Sequence, residues 1–326
     1  MYARATGLHP AVARTFLRYE AAFARLGARL STPSGDGFVR ALHVGGRTLA
    51  YTKEAHILNS AAAAAIATDK LATYQVLEGS GVAVPPGMAF FAEETRGVAS
   101  RVPHASLVNL AEVLPTVVAS ERVVVKPGME SQGRGVYICV GMKEVQHAAQ
   151  NVLGYGHYGL AQAWIDGPEY RVALLGDEVL VCYEKRPPRL GGAGTIRARI
   201  AMYNASNPKG ALDAAPRFVH GAWGLDDTPP EGADLELLGA ANLSRGASAA
   251  LISPPPELVD VALRAQSLVG LRHSAIDLRW PDRSKPPIVL EVNFNPGFEV
   301  LGATHPAIVD AITGRIAEAI VGEMAR

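Results

Sequence analysis
The 326 residues predict a protein of about two domains in which helices and strands are mixed. Length is the first reason, because one domain commonly takes about 100 to 200 residues. Composition is the second: 48% hydrophobic and 19% charged is an ordinary globular balance rather than a disordered one. Pattern is the third, with helical spacing near both ends of the chain and short strand-like runs through the middle.

Taken in order, residues 10–30 carry Val12, Phe16, Leu17, Phe23 and Leu26 at roughly helical spacing and stop near Pro33 and Gly35. Residues 38–43 and 48–51 flank Gly45-Gly46 and read as a hairpin, followed by helix formers over 55–67. A small N-terminal unit, 1–68, ends there. A second helical stretch, 69–78, is closed by Gly79, Gly81 and Pro85-Pro86-Gly87. Strands are expected over 123–126, 136–140, 159–165, 170–175 and 179–183. Residues 186–230 are rich in Gly, Pro, Asn and Ala without sustained periodicity, the size of excursion that usually marks a functional loop or lid. Order resumes with a helix over 256–269, strands over 274–280 and 288–293, and a helix over 306–324.

The charges exclude several partners. Thirty-one basic and thirty-one acidic residues cancel, and no basic run or stripe advertises nucleic acid. The longest apolar run, 61–67, is far short of the ~20 residues of a membrane span. The N-terminus lacks the apolar core of a secretory signal, and Cys139 and Cys182 each sit in an apolar strand-like run, as buried free thiols do. A soluble, cytoplasmic protein with no nucleic-acid or membrane partner is expected.

The most informative segments are the last two strands. Alternation with period two puts Asp277 and Arg279 on one face, puts Glu291 and Asn293 likewise on one face, and turns Ile276, Leu278, Leu290 and Val292 the other way. A simple turn centred on Ser284 would set Asp277 directly across from Glu291. Opposed carboxylates repel, and a magnesium ion, which takes hard oxygen ligands, would relieve them. The plain alternative is a hydrated polar face with Arg279 as counter-ion. Earlier, Val123 to Lys126 is a strand ending in lysine, followed by a turn with Gly128, Gly133 and Gly135 and a second strand from Val136. Glycine-rich backbone can close on phosphate oxygens beside a lysine point charge, although a simple turn reads the same way.

In order, Asp69-Lys70, Val84-Pro85-Pro86-Gly87, the Val125-Lys126-Pro127 glycine loop, Gln162 to Arg171, Asp277 and Glu291 to Gly297 resemble the ATP-grasp superfamily of carboxylate-amine ligases. Glu184-Lys185-Arg186-Pro187, Gly192 to Ile196, Asn204 and Asn242 to Gly246 are similar to the ATP-grasp modules of cyanophycin synthetases and bifunctional glutathione synthetases. The resemblance covers roughly 45–305. With a short leading segment and no second, Mur-ligase-like domain, repeated polymer elongation is not expected.

That resemblance implies an α+β ATP-grasp fold, two α+β lobes clasping ATP: 69–165 with the mobile glycine-rich hairpin, and 166–326 with the metal site. Lys70 and Lys126, with Gly133 and Gly135, would meet the phosphates. Gln162 would lie against adenine, backbone groups of Ala163 and Ile165 would read its edge, and Glu169 would take the ribose hydroxyls. Asp277, Glu291 and Asn293 match magnesium ligands, with two ions implied. Arg171 and Arg186 correspond to arginines facing the transferred phosphoryl group, and Asn242 and Ser244 to the substrate pocket. Plainer alternatives are a solvated Lys70, a surface-strand Glu169, a core Trp164, and salt bridges of the two arginines to Glu169 or Glu184.

The implied reaction is ATP-dependent formation of a peptide or amide bond on an amino-acid or small-peptide substrate, through an acyl phosphate, with release of ADP and phosphate. Alternatives are an acid-thiol ligase or carboxylase of the same superfamily, or a non-catalytic nucleotide-binding regulator. Small-molecule acid and amine partners follow, with a homo-oligomer left open.

Overall fold
The structure is a computed structural model that describes residues 10–33, 39–52, 57–92, 104–107, 109–130, 133–207, 212, 218–219, 223–239, 243 and 246–326. The opening helix, α1 (Pro10–Arg25), is shorter than its apolar pattern suggests. Gly27 takes a left-handed φ of 71°, and Arg29–Ser31 leaves the helix to become strand β1, paired antiparallel with β2 (Val39–Val44). The expected hairpin joins β2 to β3 (Arg47–Thr52), with Gly45 and Gly46 both at positive φ, as a tight two-residue turn demands.

Helix α2 (Ala61–Thr68) starts at Ser60, whose hydroxyl accepts the Ala63 N–H, and α3 (Lys70–Gly79) follows after Asp69. Strands β4 (Gly87–Phe91), β5 (His104–Ser106), β6 (Arg122–Pro127), β7 (Tyr137–Val140) and β8 (Tyr158–Ala163) form one sheet in the order β5-β4-β8-β6-β7. One face of it carries Val123, Val125, Ala161, Met88 and Phe90 onto α4 (Leu110–Val117) and α5 (Met142–Leu153). The other face carries Lys126, Gln162, Leu160 and Ala89.

The second five-stranded sheet has the order β11-β10-β9-β12-β13, from β9 (Glu169–Leu175), β10 (Glu178–Arg186), β11 (Ser248–Leu251), β12 (His273–Arg279) and β13 (Ile288–Asn293). Its apolar face, with Val172, Leu174, Ile276 and Val289, packs on α7 (Pro256–Val269), α2 and α3. On the opposite face Ala173, Ala275 and Tyr183 join a core with α1 and α9 (Pro306–Ala325), which follows the short α8 (Leu301–Thr304). Burial of these side chains at about 25 cal/mol per Å² of apolar surface is what holds the layers together.

The 186–230 stretch is not structureless. Thr195 caps helix α6 (Ile196–Ser206), and Leu190, Ile196, Phe218, Leu235 and Leu237 make a small core of their own. Cys139 and Cys182 are buried free thiols. Among the described residues no helix is long and apolar enough to cross a membrane.

Candidate active site
Register in the second sheet builds the site. Lys185, Glu169 and Arg279 stand in one row across β10, β9 and β12, and Tyr183, Arg171, Asp277 and Glu291 in the next row, extending to β13. Below them Val181, Ala173, Ala275 and Asn293 continue the same face, so the surface grades from apolar packing to dense charge. Asp277 is paired with Glu291, as a turn centred on Ser284 predicts, but the ladder then slips by one residue. That bulge puts Val289 rather than Leu290 in the core, correcting the alternation expected for β13.

Protein cations meet both of the opposed carboxylates. Arg171 grips Asp277 through two hydrogen bonds of 2.6 Å, and Lys185 Nζ reaches Asp277 at 2.9 Å and Glu169 at 2.8 Å. Lys70 meets Glu291 at 3.2 Å. Burial opposes ionisation of Asp277, yet Arg171 and Lys185 outweigh it and hold the carboxyl well below the usual range. For Lys185, burial and Arg171 work against the charge, and Asp277 and Glu169 more than compensate.

Lys70 is placed by a cap. Asp69 accepts the N–H groups of Leu71 and Ala72 and the hydroxyl of Tyr158, while the Lys70 N–H donates to the Gly128 carbonyl and its Nζ to the Glu130 carbonyl. Gly128 is required here by contact: a Cβ would lie 2.1 Å from the Tyr158 ring. Gly133 and Gly135 both take left-handed φ in the same loop.

Lys126 differs from the other cations. It is 8% exposed and donates to the Tyr74 hydroxyl at 2.8 Å, and among the described residues no carboxylate lies within ion-pair distance. Burial lowers its ammonium to about 8, the charges of Glu291, Glu169 and Asp277 only partly offsetting the loss of water. Gln162 is buried beside it, 3.4 Å from the Tyr74 hydroxyl.

Several sequence expectations need correction. Arg186 sits on the opposite face of β10, with its side chain 59% exposed and Glu184 as its partner, so it does not join Arg171. Lys185 does so instead. The sequence shows two adjacent basic residues near a strand end, and only the pairing of Lys185 with Glu169 reveals which one faces the site. Glu169 is not a surface residue: Lys185 and Arg279 hold its two oxygens. Trp164 is not in the core but half-buried, with the Arg279 guanidinium 4.1 Å from its ring centre. The Ala163 N–H already donates to the Pro86 carbonyl, and the Ile165 carbonyl accepts from Arg279. Asn242 and Ser244 lie outside the described residues.

The hairpin's donors suit magnesium in kind: two carboxylates and an amide on one sheet face, with Glu291 still 30% exposed. Asp277 is the most occupied of the three. Among the described residues no group of three or more His, Cys, Asp or Glu side chains forms a metal cluster.

No protein-family model matches the chain. It is 25% identical over 77% of its length to the cyanophycin synthetase of Trichormus variabilis, of which it spans 29%. It is 26% identical over 76% of its length to the ribosomal protein bS6–L-glutamate ligase of Escherichia coli, spanning 62% of that protein. The D-alanine–D-alanine ligase of Bacillus anthracis superposes on 81% of the chain and 69% of its own, with a TM-score of 0.49 and 15% identity. The chain is thus similar in sequence to ligases named for cyanophycin synthesis and glutamate ligation, and its two five-stranded sheets with helices packed on them make a mixed α+β fold.

Proposed function
We propose that the protein is an ATP-dependent carboxylate-amine ligase that joins an amino acid or small peptide to an amine through an acyl phosphate. One observation carries the reading. Among the described residues, the cations Lys70, Lys126, Arg171, Lys185 and Arg279 gather with three carboxylates, Glu169, Asp277 and Glu291. A positive excess held away from water is costly unless a polyanion completes it, and a nucleoside triphosphate is such a polyanion. The relatives' names, a cyanophycin synthetase and a glutamate ligase, agree with a substrate of this class.

In this reading, residues 69–165 form the lobe that closes on the nucleotide and 166–326 the lobe that holds the metal end, with 1–68 beside them. Lys126 and Lys70 take the phosphates from the glycine-loop side. Gln162 and the backbone at Ala163 and Ile165 line the base, and Glu169 lies beside the ribose. Asp277, Glu291 and Asn293 would hold magnesium, which would supply neutralisation of phosphate charge.

The substrate carboxylate attacks the γ-phosphorus, its new O–P bond forming as the bond to ADP breaks. The amine then attacks the acyl carbon, Arg171 and Lys185 stabilise the oxyanion, and phosphate leaves as the amide forms. No protein nucleophile is needed. The 187–230 excursion follows β10 in the chain and would exclude water, which otherwise hydrolyses the acyl phosphate. Such a reaction suits the cytoplasm, where ATP and magnesium are supplied.

The test is ADP release across pairs of amino acids and dipeptides. Turnover that requires both an acid and an amine is expected, with Glu291→Ala lowering it by about 100-fold or more. ATP binding without acid-dependent ADP release would leave a nucleotide-binding protein and contradict the ligase.

A further inference from the structure
The hydroxyl of Tyr74 joins parts that belong to different layers. Its helix, α3, packs on the second sheet's side of the molecule through Leu77, while its ring inserts against Ala89 and Leu160 on the first sheet. The hydroxyl accepts a hydrogen bond from Lys126 Nζ at 2.8 Å and donates one to the Leu290 carbonyl at 2.5 Å. Leu290 is the residue that the β13 bulge leaves without a partner across the ladder, and it immediately precedes Glu291. One oxygen therefore ties the tip of β6 to the strand that carries Glu291 and Asn293.

We propose that Tyr74 is a positioning residue for nucleotide binding, holding the Lys126 ammonium in place for phosphate while leaving its charge unspent. This rests on the reading of Lys126 as a phosphate-binding group. The chemistry of the partner is the reason. A carboxylate in place of the phenol would fix Lys126 equally well, but the resulting ion pair would have to be broken, or a triphosphate repelled, at every binding event. A neutral hydroxyl orients the ammonium and satisfies one of its three donors, and its own proton is committed to Leu290. Burial and the charge of Glu291 push the phenol's ionisation upward, so it keeps that proton across the working range. Without the hydroxyl, the four-carbon lysine stem regains freedom and the Leu290 carbonyl loses its donor.

A double-mutant cycle on the full-length protein tests this, using titration calorimetry with MgATP and steady-state kinetics with the acid and amine that support turnover. Tyr74→Phe is expected to raise the Kd and KM for ATP about tenfold while the KM values for acid and amine stay within twofold. Lys126→Met should weaken ATP binding further, and adding Tyr74→Phe to it should cost nothing more. Tyr74→Met, which fills the slot beside Ala89 and Leu160 without a hydroxyl, provides a second route should the Phe variant fold poorly, and must give the same pattern. Unchanged ATP affinity in these variants, or an equal loss with and without Lys126, overturns the role of Tyr74 while leaving the ligase reading intact. A wild-type protein that binds no ATP overturns both.

Discussion

At the scale of single residues, Lys126 carries the sharpest consequence because it is buried, cationic and held by a neutral partner. Burial leaves its ammonium at about 8, below the ordinary 10.5, with the charges of Glu291, Glu169 and Asp277 offsetting only part of the loss of water and the Tyr74 hydroxyl as its hydrogen-bond partner. Phosphate binding needs the charged form. ATP affinity is therefore expected to be level below pH 8 and to fall by up to about tenfold per unit above it, with a proton taken up on binding at pH 9 but not at pH 7. Calorimetry in two buffers of different ionisation heat measures that proton directly, and a level affinity through pH 9.5 would show that Lys126 does not meet the phosphates. The sign for folding is the reverse. The unfolded chain holds this proton more tightly between about pH 8 and 10.5, so the penalty for burying Lys126 is relieved as pH rises through that window.

At the scale of elements, strand alternation decides which side chains belong to the site. Lys185 and Arg186 are adjacent and equally basic, yet one lies between Glu169 and Asp277 while the other faces solvent. Lys185→Met is expected to abolish turnover and to destabilise the fold by about 3 to 5 kcal/mol, because two buried carboxylates lose a shared cation. Arg186→Ala should keep turnover within twofold and leave the melting temperature almost unchanged. Comparable losses in the two variants would contradict the assignment of faces. Period-two alternation made the β12 and β13 pair legible in the sequence, including the pairing of Asp277 with Glu291. The bulge beside it was not legible, because nothing in Ile288 to Asn293 marks which residue is extra. Helix α5 shows the opposite case, since Val145, Ala148, Ala149 and Val152 form a plain helical stripe that reading for strands passed over. Helix α6 buries only Ile196 and follows a glycine run, so neither periodicity nor composition announces it.

At the scale of the whole molecule, the two sheets expose unlike faces to each other. One presents Lys126 and Gln162 over apolar neighbours, and the other presents rows of alternating charge in which Arg171, Lys185 and Arg279 balance Glu169, Asp277 and Glu291, so the positive excess comes from Lys70 and Lys126. Motif order along the chain made the two-sheet arrangement legible, because the glycine loop lies in the first sheet, the final hairpin in the second, and the 162–171 segment runs from one to the other. The partnerships inside the cleft were not legible, since Asp277 with Arg171, Glu169 with Lys185 and Lys126 with Tyr74 depend on register and on helix placement, not on local sequence. The central claim is that this cleft is a seat for a triphosphate. Titration calorimetry comparing MgATP with AMP at pH 7.5 tests it most directly: the cation excess predicts that MgATP binds at least about 100-fold more tightly than AMP, with an affinity that falls as salt is raised. Equal affinities for the two nucleotides, or no heat with either, would contradict it.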